Sequence, residues 1–443
     1  MSIRSYTKNN SDTLKTLLLL AWPTLLQELL STIIQYVDTA MVGHLGPVAT
    51  ATVSLSSTYS WLINSVIYAF GVGFLSYIAR AIGEGDRDKI EKAAGLSATV
   101  ALVVGAVLTI VTLVIAPFMP VWMGAEEGIR HDASLYFMLI NFPLIFRSFS
   151  VVFGAVIQST GDTKTPMKVN LIMNIANTLL NYVFIYVLSF GAVGAGIASC
   201  ISYVLGGILM TRAFLLNRTL SFKISNMKPD GKILKGTMNI AVPLVFTQIA
   251  SCSGYVVATS FVSAMATTVY AAHSIAITAE QLFYIPGYGV QAATSTLIGN
   301  ALGENNKEKE HSVMVFSVAT IFLTMCGTGL LLFIFAPQMM SAFTSDDDVI
   351  RIGAGLLRIV AFTEPIFGTA AVLDGIYSGL GKTRFPFVAT MISRWGVRIV
   401  GSFFTVKVLG GGIREIWYCM IGDNITKALL LAIGLFIILK KEK

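Results

Sequence analysis

The chain has 443 residues, 55% of them apolar and 12% charged, with a formal net charge of +7. Soluble domains carry about a quarter charged residues, so a water-soluble globule is excluded; its core has no room for this much apolar surface. The basic residues sit in short loops between apolar runs, the topology pattern of a membrane protein rather than of a nucleic-acid surface. The four cysteines (Cys200, Cys252, Cys326 and Cys419) lie in apolar stretches without C-x-x-C spacing, which points away from a zinc site or a disulfide framework.

A membrane-crossing helix needs ~20 apolar residues, and twelve such stretches follow one another. The first, 14–42, is too long for a signal-peptide core and carries Glu28, Ser31, Gln35 and Asp38. Steps of three, four and three place these four on one helix face. The stretches 52–80 and 93–116 follow, then 133–157 with Pro143 and Arg147. The fifth, 167–189, presents Asn170, Asn174, Asn177 and Asn181 as a second polar stripe, and 192–215 closes the first half. A polar link, 217–235, separates an N-terminal lobe (1–216) from a C-terminal lobe (236–443). The second half predicts spans at 236–265, 271–299 (with Glu280 and Pro286), 312–336 and 351–379 (with Arg358, Glu364, Pro365 and Asp374). It ends with 387–409 (with Arg394 and Arg398) and 413–439 (with Asp423). A membrane barrel would show short alternating segments instead.

With the N-terminus inside, one side collects Arg4, Lys8, Lys15, Arg80, Arg87, Lys89, Lys92, Lys164 and Lys168. Lys and Arg of the 212–235 region, of 307–309, of 382–384 and of 440–443 (ending in Lys443) join them, whereas the other side holds Arg130, Arg351, Lys407 and Arg414. The positive-inside bias therefore places both termini in the cytoplasm of a multi-pass cell-membrane protein.

The halves match at a shift of 220 residues. Ala21-Trp22-Pro23 pairs with Ala241-Val242-Pro243, and Ala81-Ile82-Gly83-Glu84 with Ala301-Leu302-Gly303-Glu304. Ala116-Pro117 pairs with Ala336-Pro337, and Gly161-Asp162-Thr163-Lys164-Thr165-Pro166 with Gly381-Lys382-Thr383-Arg384-Phe385-Pro386. Six spans per half is even, so the halves run parallel, related by an axis along the membrane normal. That symmetry suits alternating access.

Charges inside a bilayer are functional candidates by default. Asp38 leads them. A carboxylate among apolar helices can exchange a proton, or with amide and hydroxyl oxygens can hold Na+. Glu28, nearer the cytoplasmic start, is a partner or a solvated group. Under the shift of 220, Glu28, Ser31, Gln35 and Asp38 map to Gln248, Ser251, Tyr255 and Ala258, so cation coupling is expected in the first lobe. In the second, Glu280, Glu364, Asp374 and Asp423 are available to pair with Arg394 and Arg398, and Glu280 also to attract a cationic substrate. Arg147 and Arg358 can snorkel. Pro143, Pro286 and Pro365 mark bends. His44, His131, His273 and His311 read as loop residues without a metal-like partner.

Val37-Asp38-Thr39-Ala40-Met41-Val42-Gly43, the Gln158–Met167 loop and the run from Pro286-Gly287 to Leu297-Ile298-Gly299-Asn300-Ala301-Leu302-Gly303 resemble the signatures of the multidrug and toxin extrusion (MATE) family, its DinF-like branch above all. Ser378-Gly379-Leu380-Gly381-Lys382-Thr383 is a weaker copy of the loop, with Ser378 and Lys382 where the family often has arginine and aspartate. The resemblance implies an all-α membrane protein of twelve helices in two pseudo-symmetric six-helix bundles around a V-shaped cleft. It implies an antiporter, not an enzyme, that exports organic cations for Na+ or H+. Some members combine the first-helix acid with an asparagine and an aspartate of helix five and a threonine of helix six. The matching positions are Asp38, Asn177, Asn181 and Ser199. The aspartate is an asparagine here, so Na+ at Asp38, Asn177 and Asn181 and a proton at Asp38 both stay open. Gln35, Glu28 and Asn174 extend this candidate coupling set. Tyr36, Met41, Tyr255, Glu280 and Phe283 are the candidates for a substrate surface. The expected partners are small organic cations and the bilayer, with no nucleic acid, a monomeric chain and no cofactor beyond the coupling ion. A lipid-linked oligosaccharide flippase of related fold is the alternative and would need a cationic cleft. An intramembrane enzyme would need a nucleophile–base pair or metal ligands within the spans.

Overall fold

The computed structural model describes residues 11–125 and 127–441; Arg4, Lys8 and Lys443 of the topology count lie outside them. Among the described residues there is no strand, and every stretch expected to span is helical. In chain order these are α1 (Ser11–Gly43), α2 (Pro47–Glu84), α3 (Arg87–Ile115), α4 (Glu127–Asn141), α5 (Leu144–Ser159), α6 (Lys164–Asn181) and α7 (Gly191–Leu216). Then come α8 (Gly231–Ser263), α9 (Thr267–Gly303), α10 (Lys307–Ser341), α11 (Asp347–Ala361), α12 (Glu364–Gly379), α13 (Arg384–Thr390) and α14 (Ile413–Lys441). α6 runs on into a π-helix, Tyr182–Val187, and α13 into another, Met391–Ile399.

Eight described helices are long and apolar enough to cross a membrane, or up to ten if α4 with α5 and α11 with α12 each count as one bent span. The stretches expected at 271–299 and 387–409 are helical but fall outside that set. The first carries His273, Glu280 and Gln291; the second carries Arg394, Arg398 and Lys407. Pro143 and Pro365 sit at the two bends, of 43° and 55°, where proline removes an amide donor and crowds the preceding turn. At Pro286 the helix is not broken: α9 continues through it. Three residues on, the helix packs closely, since a side chain at Gly289 would come within 2.5 Å of Leu25.

The chain forms two compact units. One joins the residues up to Leu25 with those from Phe246 onward; the other is Leu26–Val245. In the Leu26–Val245 unit, Phe74, Ile78, Phe137, Phe153 and Phe214 anchor a continuous core, with Phe153 stacked on Phe214 at 4.2 Å. In the other unit, Leu17, Leu20 and Ala21 pack with Val290, Leu297 and Ile298, and a further cluster centres on Trp417 and Met420. Burying a leucine-sized side chain contributes about 1.5–3 kcal/mol, so these clusters fix the helix seams.

The repeated Gly-x-Thr loops are turns. Gly161 and Gly381 have φ of 87° and 71°, a region glycine enters without a Cβ clash. Asp162 accepts from the Thr165 N–H at 3.0 Å and from its hydroxyl at 2.6 Å, satisfying the first turn of α6. The histidine expectation is corrected: His131, His273 and His311 lie within helices. His273 is buried and accepts from Trp417 Nε1 at 3.1 Å.

Candidate functional site

Within the Leu26–Val245 unit, the polar stripes of α1 and α6 face each other. Asn174 Nδ2 donates to Ser31 Oγ at 2.9 Å. Seven residues on along each helix, Asn181 Nδ2 donates to Asp38 Oδ1 at 3.0 Å, and Thr178 Oγ1 lies 3.4 Å from the same oxygen. With the Asn177 amide oriented to satisfy both of its ends, its nitrogen donates to Asp38 Oδ2 at 2.7 Å and its oxygen accepts from the Ser199 N–H at 3.2 Å. Beyond the site, Tyr186 of the π-helix donates to the Met41 carbonyl at 3.0 Å. A π-helix lengthens the backbone rings locally and is frequent at functional sites; here it starts one residue after Asn181.

Both carboxylate oxygens of Asp38 therefore face donors. Asn181 is 2% exposed and its Oδ1 has no hydrogen-bond partner. A buried unpaired amide oxygen costs about 1–3 kcal/mol, and a cation at this point would relieve it. Among the described residues no group of three or more His, Cys, Asp or Glu is arranged to hold a metal ion. Any cation bound here would rest on one carboxylate with amide and hydroxyl oxygens.

Not every expected coupling residue joins this group. Asn174 reaches Ser31 rather than Asp38. Ser199 reaches Asp38 only through Asn177. Gln35 is exposed. Glu28 lies ten residues before Asp38, about 15 Å along the helix, and has Gln27 Nε2 at 3.4 Å. Thr178 is the residue that sequence reasoning missed. Its signal was its register, four residues after Asn174 and three before Asn181, on the same helix face.

The second acidic group lies in the other unit. Glu280 is 0% exposed and accepts from Tyr284 Oη; its Oε2 has no partner. Glu364, 1% exposed, has no partner for either carboxyl oxygen. Glu280 is thus sealed from a substrate in this structure. The expected arginine pairing is right for Asp423, which lies 2.8 Å from Arg394 and 3.7 Å from Arg398. It is corrected for Asp374, which pairs with Lys427 at 2.7 Å, and for Glu280 and Glu364, to which no arginine among the described residues is hydrogen-bonded. Arg147 and Arg358 lie over the rings of Tyr203 and Phe333, a cation–π contact. Of the substrate-surface candidates, Met41 and Phe283 pack against core clusters, and Tyr36 and Tyr255 are half-buried.

The sequence profile of the MatE family matches the chain twice, at residues 23–183 and 243–404. The chain belongs to the MatE family. The two matches start 220 residues apart (243 − 23), the shift of the internal repeat. Among curated relatives, the probable multidrug resistance protein NorM of Thermotoga maritima is 27% identical over 94% of this chain and 90% of its own length. The uncharacterized transporter YisQ of Bacillus subtilis is 22% identical over 96% of this chain and 94% of its own. Among solved structures, a MOP superfamily transporter from Pyrococcus furiosus shares the fold with a TM-score of 0.91 at 22% identity, covering 97% of each chain. An outward-facing multidrug resistance MATE family transporter gives the same TM-score, identity and coverage. The protein is thus an all-helical, multi-pass member of a multidrug-resistance transporter family, and its relatives are transporters rather than enzymes.

Proposed function

We propose that this MatE protein is a secondary active antiporter of the cell membrane that exports organic cations in exchange for Na+ or H+. The observation that carries the proposal is the Asp38 carboxylate, held from both sides by Asn177 and Asn181 inside an apolar unit. A proton can bind Asp38 itself. Na+ can sit between the carboxylate and the unpaired Asn181 oxygen, in the manner of transporter ion sites near irregular helix. Either ion offsets a charge that is costly in the bilayer. If it binds one conformation more tightly than the other, ion flow drives the exchange.

This reading includes twelve spans in two pseudo-symmetric six-helix lobes, which the doubled family match supports. It also includes cytoplasmic termini, which the Lys and Arg bias supports, a monomeric chain with no nucleic-acid partner, and the DinF-like branch. The flippase reading is weaker, because Arg394 and Arg398 are engaged by Asp423. The test is efflux of a cationic dye from proteoliposomes, with a Na+ gradient and a pH gradient imposed separately. Efflux driven by one of them, and lost in Asp38→Asn, is expected. A wild-type rate in that variant would overturn the assignment.

A further inference from the structure

The Leu26–Val245 unit carries a groove of about 450 Å³ between α5 and α7, lined by Phe146, Phe149, Ile208, Arg212, Leu215 and Leu216 together with Thr211. Its origin is a close helix contact: a side chain at Gly207 would lie 2.5 Å from the Phe146 carbonyl oxygen, so only glycine lets the two backbones approach. The side chains flanking the contact then stand out as walls. Ile208, Leu215 and Leu216 are 52%, 51% and 68% exposed, and an exposed apolar wall on a membrane helix meets acyl chains.

The polar end of the groove is basic. Arg212 is exposed, four residues before the end of α7, about 6 Å of helix rise and so near headgroup depth. Arg218, two residues past that end, lines a second, basic cavity of about 350 Å³ with Arg87, Gly85 and Thr219. The acids nearby are already taken. Glu84 pairs with Arg80 and Lys89, Asp86 with Lys89, Asp88 with Lys92, and Glu91 with Lys223. Arg87, Arg212 and Arg218 take part in none of these pairs. Arg212 on the wall of an apolar groove, with Arg218 just past the end of the same helix, matches one kind of occupant, an anionic chain-bearing amphiphile. Basic pockets between membrane helices hold such headgroups.

We propose that this groove binds one anionic phospholipid, with its phosphate held by Arg212 and Arg218 and an acyl chain along Ile208, Leu215 and Phe146. The site is separate from Asp38 and does not depend on which ion drives transport.

The experiment is native mass spectrometry of the detergent-solubilised full chain, titrated with phosphatidylglycerol or with phosphatidylcholine of the same acyl chains. The wild type is expected to retain phosphatidylglycerol preferentially. Arg212→Gln and Arg218→Gln should each weaken it about fivefold, the worth of one cation near an anionic headgroup, and leave phosphatidylcholine unchanged. Ile208→Trp, which fills the groove and keeps the arginines, should lower retention of both lipids. Variants are compared at matched gel-filtration profiles, so that misfolding is scored apart from lost binding. Equal retention of the two lipids by the wild type would overturn the proposal. So would full displacement by soluble glycerol phosphate, which would mark a free-phosphate site without a chain-binding groove.

Discussion

At the scale of single residues, the chemistry concentrates on Asp38. Asn177, Thr178 and Asn181 come from three successive positions on one face of α6, and only Asn177 and Asn181 address the carboxylate closely, one per oxygen. Asp38→Asn keeps size and shape but removes the charge. It is expected to insert normally and to lose coupled dye efflux, read as efflux rate at matched protein density. Asn177→Ala breaks the bridge from Asp38 to Ser199. A hydrogen bond to a charged group is worth about 1.5–3 kcal/mol, so efflux should fall about tenfold or more. Asn174→Ala removes the hydrogen bond to Ser31 and none to Asp38, and should stay near the wild-type rate; an equal loss in both variants would show that the stripe acts through packing. The acid and the amide stripe were legible from spacing alone, because a helix turns equal intervals into a face. The burial of His273 was not, since sequence gives no measure of which side of α9 packs against Trp417. Nor was the pairing of Asp374 with Lys427, whose partners lie 53 residues apart and meet through tertiary packing.

Single helices were the most legible level, because about 20 apolar residues in a row have few other uses. Where they bend was less so. Proline alone does not decide it: Pro23, Pro243, Pro286 and Pro337 all lie inside continuous helices, whereas Pro143 and Pro365 sit at bent breaks. Helix contacts give a direct test. Gly207→Leu places a side chain against backbone and should destabilise the protein by about 1–3 kcal/mol, as overpacking does. At Gly327 an added Cβ would meet nothing within 4 Å, and Gly327→Leu should leave the melting temperature in detergent nearly unchanged. The start of α3 offers a pH test. Asp86 caps it by accepting from the Lys89 N–H at 3.1 Å, and that bond, with the Lys89 ammonium, holds its carboxyl below the usual aspartate range. A lowered folded-state value stabilises above the unfolded one and is lost as pH falls through it. The melting temperature of Asp86→Ala should therefore lie below wild type at neutral pH, and the gap should close on acidification.

For the whole molecule, the repeat of 220 residues was visible in sequence and is the spacing of the two family matches. The division into units was not visible. Contacts run from Leu17, Leu20 and Ala21 to Val290, Leu297 and Ile298, and hydropathy along a chain carries no information on pairing at that range. Leu17 is 0% exposed, whereas its neighbour Leu18 is 47% exposed. Leu17→Ala should cost about 2–5 kcal/mol, as core truncations of leucine do, and Leu18→Ala clearly less, measured by thermal unfolding in detergent.

That division has a consequence for biosynthesis. The opening turns of α1 leave the ribosome well before the residues that share a core with Leu17 and Ala21, which run from Val290 onward and are made more than 260 residues later. Until then this segment waits with its inner face unsatisfied, the condition under which nascent chains misassemble or recruit insertion factors. Truncated nascent chains ending before α9 should accordingly leave position 17 open to a thiol reagent when it carries cysteine, and chains that include α9 and α12 should protect it.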